Sequence, residues 1–242
     1  MLSVLVATYN EIANIEAALH GLYKVLVESE IPSEIIVIES NSSDGTREKL
    51  IELNRSIPFK ILFQQTAEGK GSAIRLGIAE MRGDVFLLFD ANQEYSAKDI
   101  PDLLEPIVNG RASFVLGTRH EEGRNMRIME NHRLRPFLMN KAHFVFAKIL
   151  NYVLKTEMTD PFTMYKVLRR EVLEGVSFYS NRFDFDWELV IKSVQRGAVP
   201  FEVPVQYKSR SFSEGKKVRF FKDPVTWIVA LIRFGYLQRT RS

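Results

Sequence analysis

The chain has 242 residues, of which 45% are hydrophobic, 26% charged and 11% aromatic, a composition typical of a folded globular protein. The absence of cysteine excludes a disulfide scaffold, a thiolate nucleophile and a Cys-ligated zinc or iron–sulfur site. No apolar run approaches the ~20 residues that cross a bilayer, and the first residues do not resemble a signal peptide. We therefore expect a cytoplasmic protein that does not enter a membrane on its own.

The net charge of +3 is distributed unevenly along the chain. Residues 1–118 carry 10 Lys and Arg against 17 Asp and Glu, whereas residues 205–242 carry 9 against 2. An acidic first half is where metal-ligating carboxylates are expected. A basic tail favours an anionic partner such as a nucleotide, a lipid phosphate or a membrane surface.

The first half alternates segments typical of strands and of helices. Apolar residues at helical spacing predict a helix after the first strand, and Asp44 is positioned to cap the next helix. The helical apolar set is Ile12, Ile15, Leu19, Leu22 and Leu26. Short apolar runs of the kind found in buried parallel strands occupy residues 3–7, 35–38, 60–63, 84–89 and 113–116. The pattern predicts an α/β fold with a single, mostly parallel central sheet flanked by helices.

The second half predicts helical additions to that sheet. A long amphipathic helix is expected at residues 133–154 and another at 185–196, followed by an extended stretch at 199–207. Residues 223–242 form a C-terminal amphipathic segment that is too short to span a bilayer. We expect one domain over residues 1–242, with a nucleotide-binding half (1–118), an acceptor half (119–222) and the C-terminal helix.

A candidate metal site follows the fourth predicted strand. Asp90, Asn92 and Glu94 alternate along an extended segment, so their side chains can point to one side. Three oxygen donors at this spacing suit Mg²⁺ or Mn²⁺ held partly by substrate phosphates. The alternative is a polar strand end in which Asp90 caps a turn. Neither a Walker A loop nor a GxGxxG motif is present, which disfavours a kinase or a dehydrogenase.

The polar loops carry a series of short motifs in a fixed order. They are ATYNE (7–11), IESNSSDGT (38–46), GKG (69–71), DAN (90–92), GTR (117–119), DPFTMYK (160–166) and Arg210 with EGKK (214–217). Together they resemble the inverting glycosyltransferases of family 2, which have the GT-A fold. Within that family they resemble the dolichol-phosphate or polyprenyl-phosphate mannosyltransferases and glucosyltransferases. The resemblance runs through nearly the whole chain.

Four positions depart from the family pattern. Glu39 and Ser40 stand where the family has a pair of aspartates, and Asn92 replaces the second metal-binding aspartate. Glu94 stands where this branch often has glutamine, and Met164 stands where it has glycine. The resemblance therefore implies a metal site whose ligand set is shifted toward Glu94.

The resemblance implies roles for residues of both halves of the chain. Asp90, Asn92 and Glu94 would bind the metal, and a second set would carry catalysis: Asp90, Arg119, Arg210, Asp186 and Glu188. The nucleotide-sugar donor would contact Ala7, Thr8, Tyr9, Glu11, Glu39, Lys70, Asp90, Ala91 and Lys216.

The sequence is compatible with two kinds of acceptor, a phosphate and a sugar hydroxyl. A polyprenyl phosphate is already anionic and needs no general base, so Arg119 and Arg135 would receive its phosphate. A sugar hydroxyl would need a carboxylate to take its proton, and Asp186 and Glu188 are the candidates. The alternative for that pair is a helix start with Trp187 in the core.

We therefore expect a metal-assisted inverting transfer of a hexose from a GDP- or UDP-sugar to a polyprenyl or dolichyl phosphate. Two alternatives are transfer to a sugar hydroxyl of a glycan or glycolipid, and a non-catalytic nucleotide-sugar-binding protein. The expected location is the inner face of a membrane, on lipid or on a membrane-protein partner, with no nucleic-acid partner and the oligomeric state open. Four apolar residues would meet either lipid or the protein core: Trp227, Ile228, Leu231 and Phe234.

Overall fold

A computed structural model describes residues 1–119, 134–209 and 223–236, with side chains for 1–119, 140–209 and 226–235. Its centre is a seven-stranded sheet with the strand order β3-β2-β1-β4-β6-β5-β7. The strands are β1 (Leu2–Thr8), β2 (Ser33–Glu39), β3 (Lys60–Phe63), β4 (Val85–Asp90), β5 (Phe114–Thr118), β6 (Lys166–Arg169) and β7 (Phe201–Pro204). Strands β1 to β4 are parallel, and β6 runs antiparallel between β4 and β5. The expected α/β fold with a mostly parallel sheet is confirmed.

Helices cover both faces of this sheet. They are α1 (Ile15–Glu28), α2 (Thr46–Leu53), α3 (Lys70–Glu80), α4 (Ile100–Val108), α5 (Leu134–Leu154), α6 (Phe185–Gln195) and α7 (Asp223–Ala230). Shorter helical segments of the described residues are the 3₁₀ turns Ala97–Asp99 and Arg170–Leu173 and the π-helical turn Leu231–Tyr236. Successive strand residues point to opposite faces, so Val4 and Val6 pack under α1, whereas Leu5 packs under α3.

The start of α1 differs from the expectation. Ile15, Leu19, Leu22 and Leu26 are buried on its inner face as predicted, but Ile12 lies before the helix and is exposed. Its backbone N–H donates to Asp44 Oδ2 at 3.1 Å, which holds it in the preceding turn. Asp44 also accepts from the backbone N–H of Thr46 at 3.0 Å, the first residue of α2. Asp44 thus acts at the start of α2, although Gly45 occupies the N-cap position itself.

The C-terminal helix packs on the protein's own core. Ala230, Leu231 and Phe234 are buried against α6, and Gln195 Nε2 donates to the Phe234 carbonyl at 2.7 Å. The opposite side of the helix leaves Ile228 and Ile232 about half exposed. Within the ranges described above, no helix combines the length and the apolar character needed to span a membrane.

Candidate active site

The carboxyl ends of three parallel strands bring the predicted donor-binding residues to one edge of the sheet. In the strand register, Thr8 of β1 lies beside Glu39 of β2, and Ala7 of β1 lies beside Asp90 of β4. Ligands of open α/β sheets bind at this edge, where the loops leave the strands. The structure therefore assembles residues that are up to 83 positions apart in the sequence.

Glu39 is fully buried and is held by a cation that the sequence analysis missed. Arg47 Nε donates to Glu39 Oε2 at 2.6 Å, and the Ser42 backbone N–H donates to Oε1 at 2.5 Å. The Arg47 guanidinium also lies 5.0 Å from the centre of the Phe63 ring, at the end of β3. Arg47 is the second residue of α2 and lies only eight positions after Glu39, and this short separation is the signal that the sequence offered.

The remaining residues of the first loop line the same region. Thr8 is buried, and its hydroxyl donates to the Ile38 carbonyl at 3.2 Å. Glu11 is also buried and accepts from Asn14 Nδ2 at 3.2 Å. Tyr9 is 41% exposed, so its ring faces solvent at the strand end and is not part of the core.

Asp90, Asn92 and Glu94 converge, but the amide of Asn92 is oriented in a way the sequence did not reveal. Asn92 Nδ2 donates to Asp90 Oδ2 at 2.6 Å and to Glu94 Oε2 at 3.2 Å. Its carbonyl oxygen accepts the Glu94 backbone N–H at 2.9 Å. The amide therefore presents a hydrogen-bond donor, and not a metal-ligating oxygen, to the space between the two carboxylates.

Asp90 and Glu94 are the two side chains here that could ligate a divalent cation, and a cation between them would take the place that the Asn92 nitrogen now occupies. One nitrogen atom contacts both carboxylates, so their oxygens point to a common site. Among the residues that the structure describes, no three His, Cys, Asp or Glu side chains are grouped to hold a metal ion. A cation bound here would need further oxygens from substrate phosphates or water, as Mg²⁺ sites commonly have.

Lys70 is the first residue of α3, and the two glycines beside it allow α3 to approach α6 closely. A Cβ on Gly71 would lie 2.4 Å from the Ser180 carbonyl oxygen, and Gly69 has a φ of +108°. The backbone N–H groups of Gly71 and Ser72 both donate to the Asn181 carbonyl, at 2.8 and 3.2 Å. The GKG motif thus fixes the position of the Lys70 side chain and does not present a free helix terminus.

Asp186, in the first turn of α6, lies between two lysines. Lys70 Nζ donates to its Oδ2 at 2.6 Å, and Lys166 Nζ donates to its Oδ1 at 3.1 Å. Burial alone would raise the pKa of Asp186, but the charges of Lys166 and Lys70 hold it below its ordinary value. Lys166 is the last residue of the DPFTMYK motif, and nothing in the sequence assigned it a role.

Glu188 has a different environment, although it lies only two residues from Asp186. It is fully buried, and its oxygens accept the backbone N–H groups of Tyr179 and Ser180 at 3.0 and 2.7 Å. Lys192 Nζ donates to Glu188 Oε1 at 2.5 Å. These contacts anchor the loop before α6, and they argue against the predicted role of Glu188 as a proton acceptor. Trp187, as one alternative foresaw, is in the core.

Arg119 is directed at a buried carboxylate. Its Nε and Nη2 donate to the two oxygens of Asp160 at 2.7 and 2.8 Å, and its side chain is only 6% exposed. The guanidinium also lies 5.1 Å from the centre of the Tyr207 ring. The acceptor role of Arg119 stays a prediction. In that role, Asp160 would hold the Arg119 guanidinium in a fixed orientation for the acceptor phosphate. Arg210 and Lys216, and the side chain of Arg135, lie outside the described residues.

The sheet topology, with its polar strand ends, defines the chain as an α/β protein of the GT-A fold. The chain belongs to glycosyl transferase family 2, whose family model matches residues 3–176. It is 31% identical over 214 residues to a dolichol-phosphate mannosyltransferase of Pyrococcus furiosus, covering 88% of this chain and 58% of that protein. It is 27% identical over 244 residues to a dolichol-phosphate mannosyltransferase of Mycosarcoma maydis, covering 97% and 80%.

Solved structures support the fold. Glucosyl-3-phosphoglycerate synthase from Mycobacterium tuberculosis, crystallised with Mn²⁺, uridine diphosphate and phosphoglyceric acid, matches with a TM-score of 0.70 at 19% identity. The match covers 98% of this chain and 78% of that one. Mannosyl-3-phosphoglycerate synthase from Rubrobacter xylanophilus matches with a TM-score of 0.68 at 18% identity, covering 100% and 74%. At these identities the likeness shows the GT-A fold alone.

Proposed function

We propose that this chain catalyses inverting transfer of a hexose from a GDP- or UDP-sugar to the phosphate of a polyprenyl phosphate. Two relatives named dolichol-phosphate mannosyltransferase support this class of acceptor. This chain spans 58% of the length of the Pyrococcus furiosus relative, so the resemblance concerns the part of that protein which this chain matches.

The placement of Asp186 between two ammonium groups is the observation that carries the choice of acceptor. A hydroxyl nucleophile needs a carboxylate that accepts a proton, and efficient general bases have pKa values near the working pH. Lys166 and Lys70, at 3.1 and 2.6 Å, hold the pKa of Asp186 below its ordinary value, and the fully buried Lys166 stays on the carboxylate when Lys70 contacts the donor. Such a carboxylate is a weak base, which favours a nucleophile that is already ionised.

A phosphate acceptor makes the reaction balance without a base. An anionic phosphate oxygen attacks the anomeric carbon from the side opposite the leaving group, and the bond from that carbon to the nucleoside diphosphate breaks. The electron pair and the negative charge pass to the diphosphate, and no proton is removed from the acceptor. Catalysis then depends on cations that stabilise the departing diphosphate.

Lys70 is the cation of the described site that is best placed for this task. It lies at the same edge of the sheet as Asp90, on the face of the sheet that carries α3. A divalent cation, held by Asp90 and Glu94 near Asn92, would neutralise charge on the diphosphate oxygens. Thr8, Tyr9, Glu11 and Glu39 would form the nucleoside pocket.

A membrane surface is the proposed location of the acceptor, since a polyprenyl chain resides in lipid. The sequence of α5 contains no Asp or Glu, and its outer side exposes Phe144, Val145, Ile149 and Tyr152. The C-terminal helix exposes Ile228, Val229 and Ile232 nearby. Exposed apolar residues interspersed with lysines are typical of helices that lie in the membrane interface.

Nucleotide release from a panel of GDP- and UDP-sugars tests the proposal, with and without Mn²⁺ and a short polyprenyl phosphate. Release that requires both the metal and the polyprenyl phosphate supports it. Release that requires a glycan acceptor instead indicates transfer to a hydroxyl. Tight nucleotide-sugar binding without release to any acceptor indicates a binding protein, and each of these two results contradicts the proposal.

A further inference from the structure

Lys166 is a buried cation that the proposed reaction does not use directly. Its side chain is fully buried, opposite Leu88 of β4 and Leu116 of β5. Burial lowers the pKa of Lys166 to about 8, although the charge of Asp186 acts in the opposite direction. An apolar side chain would fill such a position without the cost of removing an ammonium group from water. The reason for a lysine must therefore lie in its contacts.

The two lysines that contact Asp186 are held to different degrees. Lys166 Nζ also donates to the Thr163 carbonyl, and none of its side chain reaches solvent. Lys70 keeps 12% of its side chain exposed, and its other contact is the Met164 thioether, a weak acceptor. Lys70 is thus the cation that can turn toward a ligand, whereas Lys166 is fixed on the carboxylate.

We propose that Lys166 is a positioning residue for the donor: by remaining on Asp186, it allows Lys70 to leave that carboxylate and contact the donor diphosphate. The inference rests on the proposed function, which supplies the diphosphate. Without Lys166, departure of Lys70 would leave Asp186 buried with no cation, and an unpaired buried charge is costly. Lys70 would then stay on Asp186, and the diphosphate would lose its contact.

Titration calorimetry of the full chain with UDP and with GDP, each in MgCl₂, tests this inference. We expect Lys166→Met to weaken diphosphate binding at least tenfold, measured with whichever of UDP and GDP the unmodified chain binds. Binding of the corresponding nucleoside, measured by competition, should change less than twofold. Lys166→Arg keeps a cation on Asp186 and should restore most of the diphosphate affinity.

A double variant separates action through Lys70 from an independent effect. Lys70→Met is expected to weaken diphosphate binding to a similar extent. The Lys70→Met/Lys166→Met variant should bind no more weakly than Lys70→Met alone, because both changes remove the same contact. Losses that multiply in the double variant would overturn the inference.

Lys192 provides a matched control. Like Lys166, it is a buried lysine that pairs with a buried carboxylate of α6. Its partner is Glu188 and not Asp186. Lys192→Met should lower the melting temperature and leave the diphosphate affinity within twofold. An unchanged diphosphate affinity in Lys166→Met, or an equal loss of nucleoside binding, would show that Lys166 is merely structural. If the unmodified chain binds neither diphosphate, the proposed function itself fails.

Discussion

Arg119 and Asp160 form a buried ion pair with two parallel hydrogen bonds, which joins the end of β5 to the loop before β6. The bonds from Nε and Nη2 are 2.7 and 2.8 Å long, and the Arg119 backbone N–H donates to the same carboxylate at 3.0 Å. His143 Nε2 lies 3.5 Å from Asp160 Oδ1, the oxygen that also accepts from Nη2. Because both side chains are buried, each depends on the other for its stabilisation.

Replacing Arg119 with Ala is expected to lower the free energy of unfolding by ~3–5 kcal/mol, because Asp160 would remain buried with no guanidinium beside it. Arg119→Lys should lose less, since it keeps the charge but not the paired hydrogen bonds. Urea denaturation at neutral pH measures both. A loss below about 1 kcal/mol in Arg119→Ala would be typical of an exposed pair and would contradict this account.

The stability contributed by Asp160 should depend on pH in the acid range. Burial alone would raise the pKa of Asp160, but Arg119 and His143 hold it far below its ordinary value. Its folded pKa is thus below the unfolded value of about 3.9, so the contribution is present above that pH and is lost as pH falls further. The difference in unfolding free energy between the unmodified chain and Asp160→Asn should therefore shrink below about pH 4. A difference that stays constant to pH 2.5 would count against the pair.

Two substitutions at the strand end test the candidate metal site. Asp90→Ala is expected to abolish transfer and metal-dependent nucleotide binding while the fold, monitored by circular dichroism, is retained. Asn92→Asp should raise the Mn²⁺ affinity by about tenfold or more, because a carboxylate replaces an amide that presents its nitrogen. Calorimetric titration of Mn²⁺ in the presence of nucleotide measures this. Full activity of Asp90→Ala with a chelator present would show that transfer does not need a metal ion.

Glu188→Gln should affect stability far more than turnover. The substitution leaves Lys192 buried beside a neutral amide, so a loss of ~3 kcal/mol in unfolding free energy is expected. Its kcat at a temperature where the variant is folded should stay within twofold. A loss of kcat above a hundredfold with unchanged stability would instead assign Glu188 to catalysis.

The exposed face of α5 should mediate binding to anionic lipid. Val145→Asp/Ile149→Asp adds two charges to side chains that are about half exposed, so the fold is expected to survive. Flotation with anionic liposomes at low salt should recover the unmodified chain and leave the variant in solution. Truncation before α7 is a poorer test, because Ala230, Leu231 and Phe234 belong to the core. If the unmodified chain also stays in solution, the proposed membrane location is wrong.

The sequence predicted most of the sheet, because β1 to β5 are short apolar runs, and all of them except the edge strand β3 are largely buried. It did not predict β6, a four-residue strand that begins with a buried lysine in place of an apolar residue. Among the predicted site residues, the structure brings together those that end a strand, as Asp90 and Glu39 do. The contacts of Asp186 could not be predicted, because Lys166 and Lys70 lie 20 and 116 residues away in the sequence.

The central claim is that the acceptor nucleophile is an ionised phosphate, and one matched comparison tests it most directly. The same short polyprenyl chain is offered as its phosphate and as its alcohol, with the nucleotide sugar that the protein hydrolyses or transfers fastest. We expect a glycosyl phosphate with inverted anomeric configuration from the phosphate, and less than about 1% of that rate from the alcohol. Comparable rates from both acceptors would contradict it, since the alcohol can react only if a base such as Asp186 removes its proton.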